Sequence, residues 1–183
     1  HQNEIAQSEG STGKRFVNFW LHNEHLMVEG KKMAKRFKNF YTLRDLLNKG
    51  YEPRAIRYTL LSTHYRQQLD FSFDGLEAAK SALSRLDDFV WNIKTHKGAT
   101  YLKEVSDLIK ECKEKFEKYM DDDLNISEAL AAVFEFVREV NRITEKKKLT
   151  EKNASEVLKV FEGFDKVLSL DIGKEKVVEG LEE

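Results

Sequence analysis

The sequence contains few of the residues that cross-link or punctuate small folds. Its 183 residues include one cysteine, one proline and nine glycines. A single cysteine excludes an internal disulfide framework and a cysteine-rich metal site. So few turn-forming residues argue against a sandwich or barrel built from many short strands. No run of about 18 apolar residues occurs, so we expect no membrane-spanning helix, and no signal peptide is recognisable. These absences predict a cytoplasmic, mostly helical protein with no membrane partner.

The near-absence of net charge conceals a strong segregation along the chain. The formal net charge is −1, from 31 Lys and Arg against 32 Asp and Glu. Residues 31–66 carry ten basic and two acidic side chains, a net +8, whereas residues 67–183 carry 19 basic and 26 acidic ones, a net −7. A positive segment of this density suits nucleotide phosphates or a nucleic-acid backbone. A solvated basic face on an ordinary domain is the alternative that charge alone leaves open.

The second half of the chain has the apolar periodicity of amphipathic helices. From residue 76 onward apolar residues recur at spacings of three and four, which predicts four helices packed as an antiparallel bundle. Gly98 separates the first two helices, and Asn125 with Glu128 has the spacing of a capping box. Cys112 lies on an apolar face, which is more typical of a core residue than of a reactive thiol. The four stripes consist of Leu76, Ala79, Leu83, Leu86, Val90 and Ile93, then Tyr101, Val105, Leu108, Ile109, Cys112, Phe116 and Tyr119, then Ile126, Leu130, Val133, Phe134, Val137 and Val140, then Val157, Val160, Phe161, Phe164, Val167 and Leu168.

The first 70 residues have a mixed pattern. We predict a first helix that stops at Gly10, and one or two short strands within residues 16–28, which are rich in aromatic and β-branched residues. Thr42 is suited to cap the start of a helix, and Pro53 is suited to the first turn of the next. The basic run from Lys31 to Lys38 is expected to form a loop.

The pentapeptide Lys32-Met33-Ala34-Lys35-Arg36 is the most informative part of that loop. Two lysines three residues apart can both reach one phosphate cluster, where ammonium groups stabilise the charge that develops on a leaving pyrophosphate. A K-x-x-K loop alone is a weak signal, because basic loops are common.

The flanking segments make the pentapeptide more specific. It resembles the KMSKS signature of class I aminoacyl-tRNA synthetases, with Ala34 and Arg36 in place of the two serines. The surrounding sequence is similar to the cysteinyl-tRNA synthetase family in consistent order from residue 1 to about 170. Residues 1–9 resemble its HHENEIAQSE stretch, residues 19–23 its YWMHN-like segment, residues 39–45 its GNFFTIRD segment and residues 55–66 its AxRYFLLSxHYR segment, while residues 120–125 and 138–142 match landmarks of its helical domain.

The resemblance implies a fold and an activity. The expected fold is mainly α, with the end of a class I Rossmann-type catalytic domain followed by an antiparallel helical bundle. Residues 1–72 would carry the KMSKS-like loop and the stem-contact helices, and residues 73–183 the DALR-type bundle that positions tRNA. The family charges tRNA with cysteine at the expense of ATP.

The resemblance also implies site residues. Lys35 matches the second lysine of the signature and would contact ATP and stabilise the adenylation transition state. Lys32 matches the first lysine and would also be catalytic, and Met33 would lie beside them in the ATP site. The basic residues expected to contact tRNA phosphates are Lys49, Arg54, Arg57 and Arg66.

The amino-acid pocket of the family contains a zinc ion that binds the thiolate of the substrate cysteine. Glu4 corresponds to one ligand of that ion, and Trp20 and His22 correspond to the floor of the pocket. The family's cysteine ligands and its HIGH motif have no counterpart here, and Cys112 cannot replace the ligands from a bundle face. Because the chain starts at His1 rather than Met, we expect a fragment that lacks the first half of the catalytic domain. Such a fragment is expected to bind neither ATP nor zinc and to be inactive alone.

Two alternatives remain open at this point. The chain could be a non-catalytic helical interaction module with a vestigial lysine loop. It could also be a diverged cysteine ligase that activates cysteine for an amine other than tRNA.

Overall fold

The computed structural model of the chain describes residues 1–174. Helices predominate in it, and three very short strands lie in the first half. The elements of that half are α1 Gln2–Thr12, β1 Leu26–Val28, β2 Lys31–Lys32, a 3-10 turn Lys35–Phe37, α2 Leu43–Asn48, α3 Pro53–Leu61 and β3 Leu69–Phe71. The second half contains α4 Phe73–Lys94, α5 Lys103–Asp121, α6 Ile126–Thr144 and α7 Glu151–Leu168.

The three strands form one sheet in the order β2-β1-β3. β1 and β2 form an antiparallel hairpin, and its two turn residues Glu29 and Gly30 both have positive φ, 51° and 70°. That geometry is the one that tight hairpins favour. β1 and β3 are parallel, with Leu26 opposite Leu69, so α2 and α3 form the crossover that a parallel pair requires.

Local signals explain where the two crossover helices begin. Thr42 accepts a hydrogen bond from the Asp45 backbone N–H at 3.2 Å, while the Asp45 carboxylate accepts one from the Thr42 N–H at 2.7 Å. This reciprocal pair satisfies two donors that the start of a helix leaves open. Pro53 occupies the first turn of α3. Both predicted helix starts are therefore confirmed.

The four long helices alternate in direction. α5 and α6 are antiparallel, since Lys115 pairs with Glu135 near the middle of both helices and Lys147 pairs with Glu104 at one end. α5 and α7 run the same way, because Phe116 stacks on Phe164 in their second halves. The connections α4–α5 and α6–α7 consequently meet at one end of the bundle, opposite the α5–α6 connection.

Two apolar cores hold these elements together. The large core fills the bundle and extends to Ala55, Tyr58 and Leu61 of α3. The small core lies between the sheet, α2, α3 and the start of α4, and its buried members are Val28, Leu46, Ile56, Phe71 and Leu76. Because α3 contributes to both cores, it joins the sheet to the bundle. The expected division between residues 72 and 73 stays a prediction.

Some sequence predictions need correction. α1 continues through Gly10 and ends at Thr12, because a glycine in an exposed helix costs only about 1 kcal/mol. Its actual stop is Gly13, whose φ is 64° and whose N–H donates to the Glu9 carbonyl. Tyr101 and Val167 were predicted to be buried but are 41% and 53% exposed. The prediction of one or two short strands within residues 16–28 is confirmed, with β1 as the strand.

Candidate functional site

The lysine loop, residues 31–38, is a compact turn attached to the edge of the sheet. Lys31 and Lys32 form β2, and residues 35–37 make one turn of 3-10 helix. Lys38 follows with a positive φ of 54°, and its N–H donates to the Lys35 carbonyl at 3.1 Å. The expected loop is thus more regular than the sequence predicted.

Asn39 closes this loop through its side chain. Its Oδ1 accepts a hydrogen bond from the Ala34 N–H at 3.0 Å. Its Nδ2 lies 3.2 Å from the Lys32 carbonyl and 3.4 Å from that of Lys31. One amide therefore satisfies backbone groups on both sides of the loop. Sequence reasoning missed this role, although asparagine next to a tight turn is the residue type that commonly bonds to nearby backbone.

The loop orients its lysines outward and its methionine inward. Lys32 and Lys35 are exposed, and the Lys35 ammonium lies 5.7 Å from the centre of the Phe40 ring. Met33 is half-buried and packs against the small core. Met33 therefore anchors the loop, while the two lysines face solvent. A nucleotide contact by any of the three stays a prediction.

The residues predicted to line the amino-acid pocket form an aromatic cluster with His1. The ring of His1 lies 4.7 Å from Trp20 and 4.5 Å from His22, and the Trp20 and His22 planes differ by only 8°. Trp20 remains 42% exposed and the neighbouring Phe19 is 90% exposed. The structure thus brings Trp20 and His22 together on an open apolar surface.

A zinc site does not form from the described residues alone. Glu4 is exposed and its carboxylate lies 3.4 Å from the amino group of His1. Cys112 is 3% exposed inside the bundle, and burial raises the pKa of its thiol to about 12. Within residues 1–174, no group of three or more His, Cys, Asp and Glu side chains is arranged to hold a metal. The assignment of Glu4 to a zinc ion stays a prediction.

Three of the four predicted tRNA-contact residues are engaged within the fold. Arg54 makes a bidentate ion pair with Asp87, with both N–O distances 2.9 Å. Arg57 donates from Nε to the Leu168 carbonyl at 2.6 Å. The fourth residue, Lys49, is exposed beside the ring of Phe73 at 5.7 Å. No local pattern predicts the two arginine contacts, because their acceptors lie far along the chain.

Arg66 belongs to a polar cluster around Asp123, here called the Asp123 lock. The Asp123 carboxylate accepts hydrogen bonds from Arg66 Nε at 2.6 Å and from the Tyr65 hydroxyl at 2.5 Å. His64 Nε2 lies 2.9 Å from the Asp123 carbonyl. Hydrogen bonds from Arg66 and then Tyr65 lower the pKa of Asp123 to about 2, and the bond to Asp123 raises the pKa of Tyr65. The lock joins the segment after α3 to the α5–α6 connection.

The first segment of the chain is tied to this lock. The Glu24 N–H donates to the Tyr65 carbonyl at 2.8 Å, so the residues that follow the aromatic cluster contact the lock directly. This hydrogen bond therefore joins the segment that follows the aromatic cluster to the lock.

Comparison with known proteins agrees with this arrangement. Residues 1–81 match the family described as tRNA synthetases class I (C) catalytic domain, and residues 115–172 match the DALR domain. A cysteine–tRNA ligase of Protochlamydia amoebophila is 48% identical over 170 residues, which are 93% of this chain and 36% of the relative. One from Solibacter usitatus is 44% identical over 171 residues, 93% of this chain and 37% of the relative.

A third relative extends the same pattern. The cysteine–tRNA ligase of Brachyspira hyodysenteriae is 47% identical over 144 residues, 77% of this chain and 30% of the relative. The chain therefore spans about a third of the length of the curated relatives it matches.

The chain is made of class I aminoacyl-tRNA synthetase catalytic sequence followed by a helical DALR domain. It belongs to the cysteinyl-tRNA synthetase family. The family resemblance drawn from the sequence is thus confirmed. Among the helices within residues 1–174, none combines the length and the apolarity that crossing a membrane requires.

Proposed function

We propose that this chain supplies the lysine loop and the tRNA-positioning helices of a cysteine–tRNA ligase. The observation that carries the proposal is the loop itself, in which Asn39 fixes the backbone and leaves Lys32 and Lys35 exposed. The names of the relatives support the reaction, in which ATP activates cysteine before its transfer to tRNA.

The sheet supports a place in a larger nucleotide-binding domain. A parallel pair joined by a helical crossover is the repeating unit of doubly wound sheets, and β1 and β3 with α2 and α3 form such a unit. We assign this unit to the end of the Rossmann-type catalytic domain. The open apolar surface around Trp20 and Phe19 fits a partner surface in the rest of that domain.

The lysines would act by electrostatic stabilisation. In adenylation the carboxylate of cysteine attacks the α-phosphorus of ATP and forms an acyl–phosphate bond. The bond between the α- and β-phosphates breaks at the same phosphorus, and negative charge grows on the leaving pyrophosphate. Ammonium groups held next to that charge lower its free energy without accepting or losing a proton. Lys32 ends β2 and Lys35 begins the 3-10 turn three residues later, so both can face the same phosphates. The tRNA would then contact the basic segment of residues 31–66.

A chimera tests this function. Residues 1–174 would replace the matching segment of the Protochlamydia amoebophila enzyme, and cysteine-dependent ATP–pyrophosphate exchange and tRNA charging would be measured. We expect both activities. The change Lys35→Ala should lower the exchange rate constant by about 100-fold, the usual cost of one transition-state contact.

Lys38→Ala provides the matched control, because Lys38 is an exposed lysine of the same loop. It should change the rate constant less than about threefold if Lys35 acts through position and not through general charge. Equal losses in the two variants would contradict the assigned role of Lys35. A chimera that exchanges pyrophosphate but charges no tRNA would favour the non-tRNA amine alternative.

A further inference from the structure

We infer that one end of the bundle is a second phosphate-binding surface for tRNA. This surface, here called the lysine end, consists of residues 94–104 and 145–152. The inference rests on the proposed function, since it takes tRNA as the ligand, and it adds a contact surface far from the lysine loop.

Close backbone packing brings the two connections together. The Gly98 N–H donates to the Leu149 carbonyl at 2.6 Å, and the Leu149 N–H lies 3.4 Å from His96 Nδ1. A Cβ at position 98 would lie 2.1 Å from the Lys148 carbonyl oxygen. Only glycine permits this approach, so the juxtaposition of the two connections is built into the sequence.

The lysine end concentrates positive charge on an otherwise acidic bundle. Residues 94–104 and 145–152 carry seven lysines and three glutamates, a net +4, whereas the remaining residues from 67 to 183 carry a net −11. The lysines are all exposed. Two of them have partners in the fold, since Lys147 pairs with Glu104 at 2.8 Å and Lys94 Nζ donates to the Gly173 carbonyl at 3.4 Å. They are Lys94, Lys97, Lys103, Lys146, Lys147, Lys148 and Lys152.

Exposed aromatic rings accompany these lysines. Tyr101 is 41% exposed, and the Lys152 ammonium lies 4.8 Å from the centre of its ring. Trp91, one turn before the end of α4, is equally exposed, with Lys94 at 4.6 Å from its ring. Aromatic faces next to cations suit nucleic acid, which offers both phosphates and stackable bases.

The position of the lysine end favours a ligand that is long enough to reach both ends of the bundle. The segment that contains Arg57 and Arg66 contacts the opposite end of the bundle, through the Leu168 carbonyl and Asp123. The two ends are separated by the length of α5, which has 19 residues, or about 30 Å at 1.5 Å per residue. A free nucleotide cannot contact both basic surfaces, whereas a folded RNA can.

Binding of unfractionated tRNA to the 183-residue chain tests the inference, with fluorescence anisotropy at several salt concentrations as the measurement. The test variant combines Lys97→Gln, Lys146→Gln and Lys148→Gln. We expect about tenfold weaker binding at low salt. The slope of log K against log salt concentration should fall in magnitude by about two, since each lost phosphate contact lowers the number of counterions that binding releases. The control combines Lys110→Gln, Lys113→Gln and Lys118→Gln on exposed positions of α5, and should bind within about twofold of wild type.

Two further variants of the chain distinguish the possible outcomes. Gly98→Ala keeps every charge but separates the two connections, so it should also weaken binding, with circular dichroism to verify that the helices remain. Lys31→Gln combined with Lys49→Gln reports on the segment of residues 31–66. If that pair weakens binding while the lysine-end variant binds like its control, the inference is wrong and the proposed function stands. If the wild-type chain binds no tRNA at low salt, the inference is also wrong, while the charging assay of the chimera still decides the proposed function.

Discussion

At the residue scale, Asp87 joins three parts of the molecule. Its carboxylate accepts hydrogen bonds from both terminal nitrogens of Arg54 in α3. It also accepts one from the Gly173 N–H at 2.8 Å. Both members of the ion pair are only 17% exposed. Removing one partner of such a partly buried pair destabilises the fold, because the remaining charge is left without a partner.

The change Asp87→Ala should lower the free energy of unfolding by about 2–3 kcal/mol, because Arg54 and the Gly173 N–H would lose their acceptor. Urea denaturation followed by circular dichroism measures the loss. Asp88→Ala is the matched control, since Asp88 is the exposed neighbour on the same helix, and it should cost less than about 0.5 kcal/mol. Equal costs in the two variants would contradict the importance of the pair.

At the element scale, the lysine loop depends on one side chain for its shape. The Asn39 side chain accepts a hydrogen bond from the Ala34 N–H and donates one to the Lys32 carbonyl. These two bonds close a turn that follows a strand of only two residues. Met33 adds an apolar anchor. The loop is thus fixed at its base while its lysines remain exposed.

The change Asn39→Ala should loosen this loop without unfolding the bundle. Each hydrogen bond lost costs about 0.5–1.5 kcal/mol locally, so trypsin should cleave after Lys31 to Lys38 about tenfold faster under native conditions. Mass spectrometry of the fragments measures the rate at these sites. Asn48→Ala, an exposed asparagine at the end of α2, should leave the rate unchanged. Unchanged cleavage in Asn39→Ala would show that the clamp is dispensable.

The elements that the sequence predicted best are those with local causes. The period of 3.6 located the bundle helices because each buries one face in the large core. The predictions for Tyr101 and Val167 were wrong because a stripe ignores the ends of a helix. Tyr101 precedes α5, and its hydroxyl bonds to the Glu156 carboxylate at 2.9 Å on the surface.

At the scale of the whole molecule, the Asp123 lock connects the catalytic segment to the bundle. Asp123 lies between α5 and α6, while its partners Tyr65 and Arg66 follow α3. The Ser127 hydroxyl adds a bond to the Ser62 carbonyl at 3.0 Å. An exposed charged contact therefore joins the two parts in addition to the packing of α3.

The lock should open in acid. The pKa of Asp123 in the folded chain is about 2, below the ordinary value of about 3.9 for an unfolded chain. Its contribution to stability is therefore complete above about pH 4 and disappears as the pH falls through about 2. The difference in free energy of unfolding between wild type and Asp123→Asn should be largest near pH 6 and shrink towards pH 2.5, as urea denaturation can measure.

Asp122→Asn supplies the comparison for this titration, because Asp122 is an exposed neighbour outside the lock. Its difference from wild type should vary less with pH than that of Asp123→Asn. A difference for Asp123→Asn that stays constant from pH 6 to 2.5 would contradict the lock. High salt should weaken the effect, because the contact is exposed and screened.

The candidate site was less predictable than the fold. Sequence patterns pointed to the lysine loop and to Trp20 and His22, because each lies within a short motif that can be recognised locally. They could not show that Arg54 and Arg57 are occupied, because Asp87 and Leu168 lie 33 and 111 residues away. The acceptor of Arg66, Asp123, is similarly distant at 57 residues. Contacts of this range follow from the packing of α3 on the bundle, which no local period encodes.

The parallel pairing of β1 with β3 has a consequence for synthesis of the chain. Leu26 pairs with Leu69, and Val28 pairs with Phe71. The central strand β1 therefore cannot form its parallel pair until β3, about 40 residues later in the chain, has been translated. Domains fold as their chains emerge from the ribosome, and contacts between distant residues form slowly. The lysine loop therefore leaves the ribosome before the sheet that supports it can form. Protease cleavage of the nascent chain at these lysines should therefore be faster before residue 71 has emerged than afterwards.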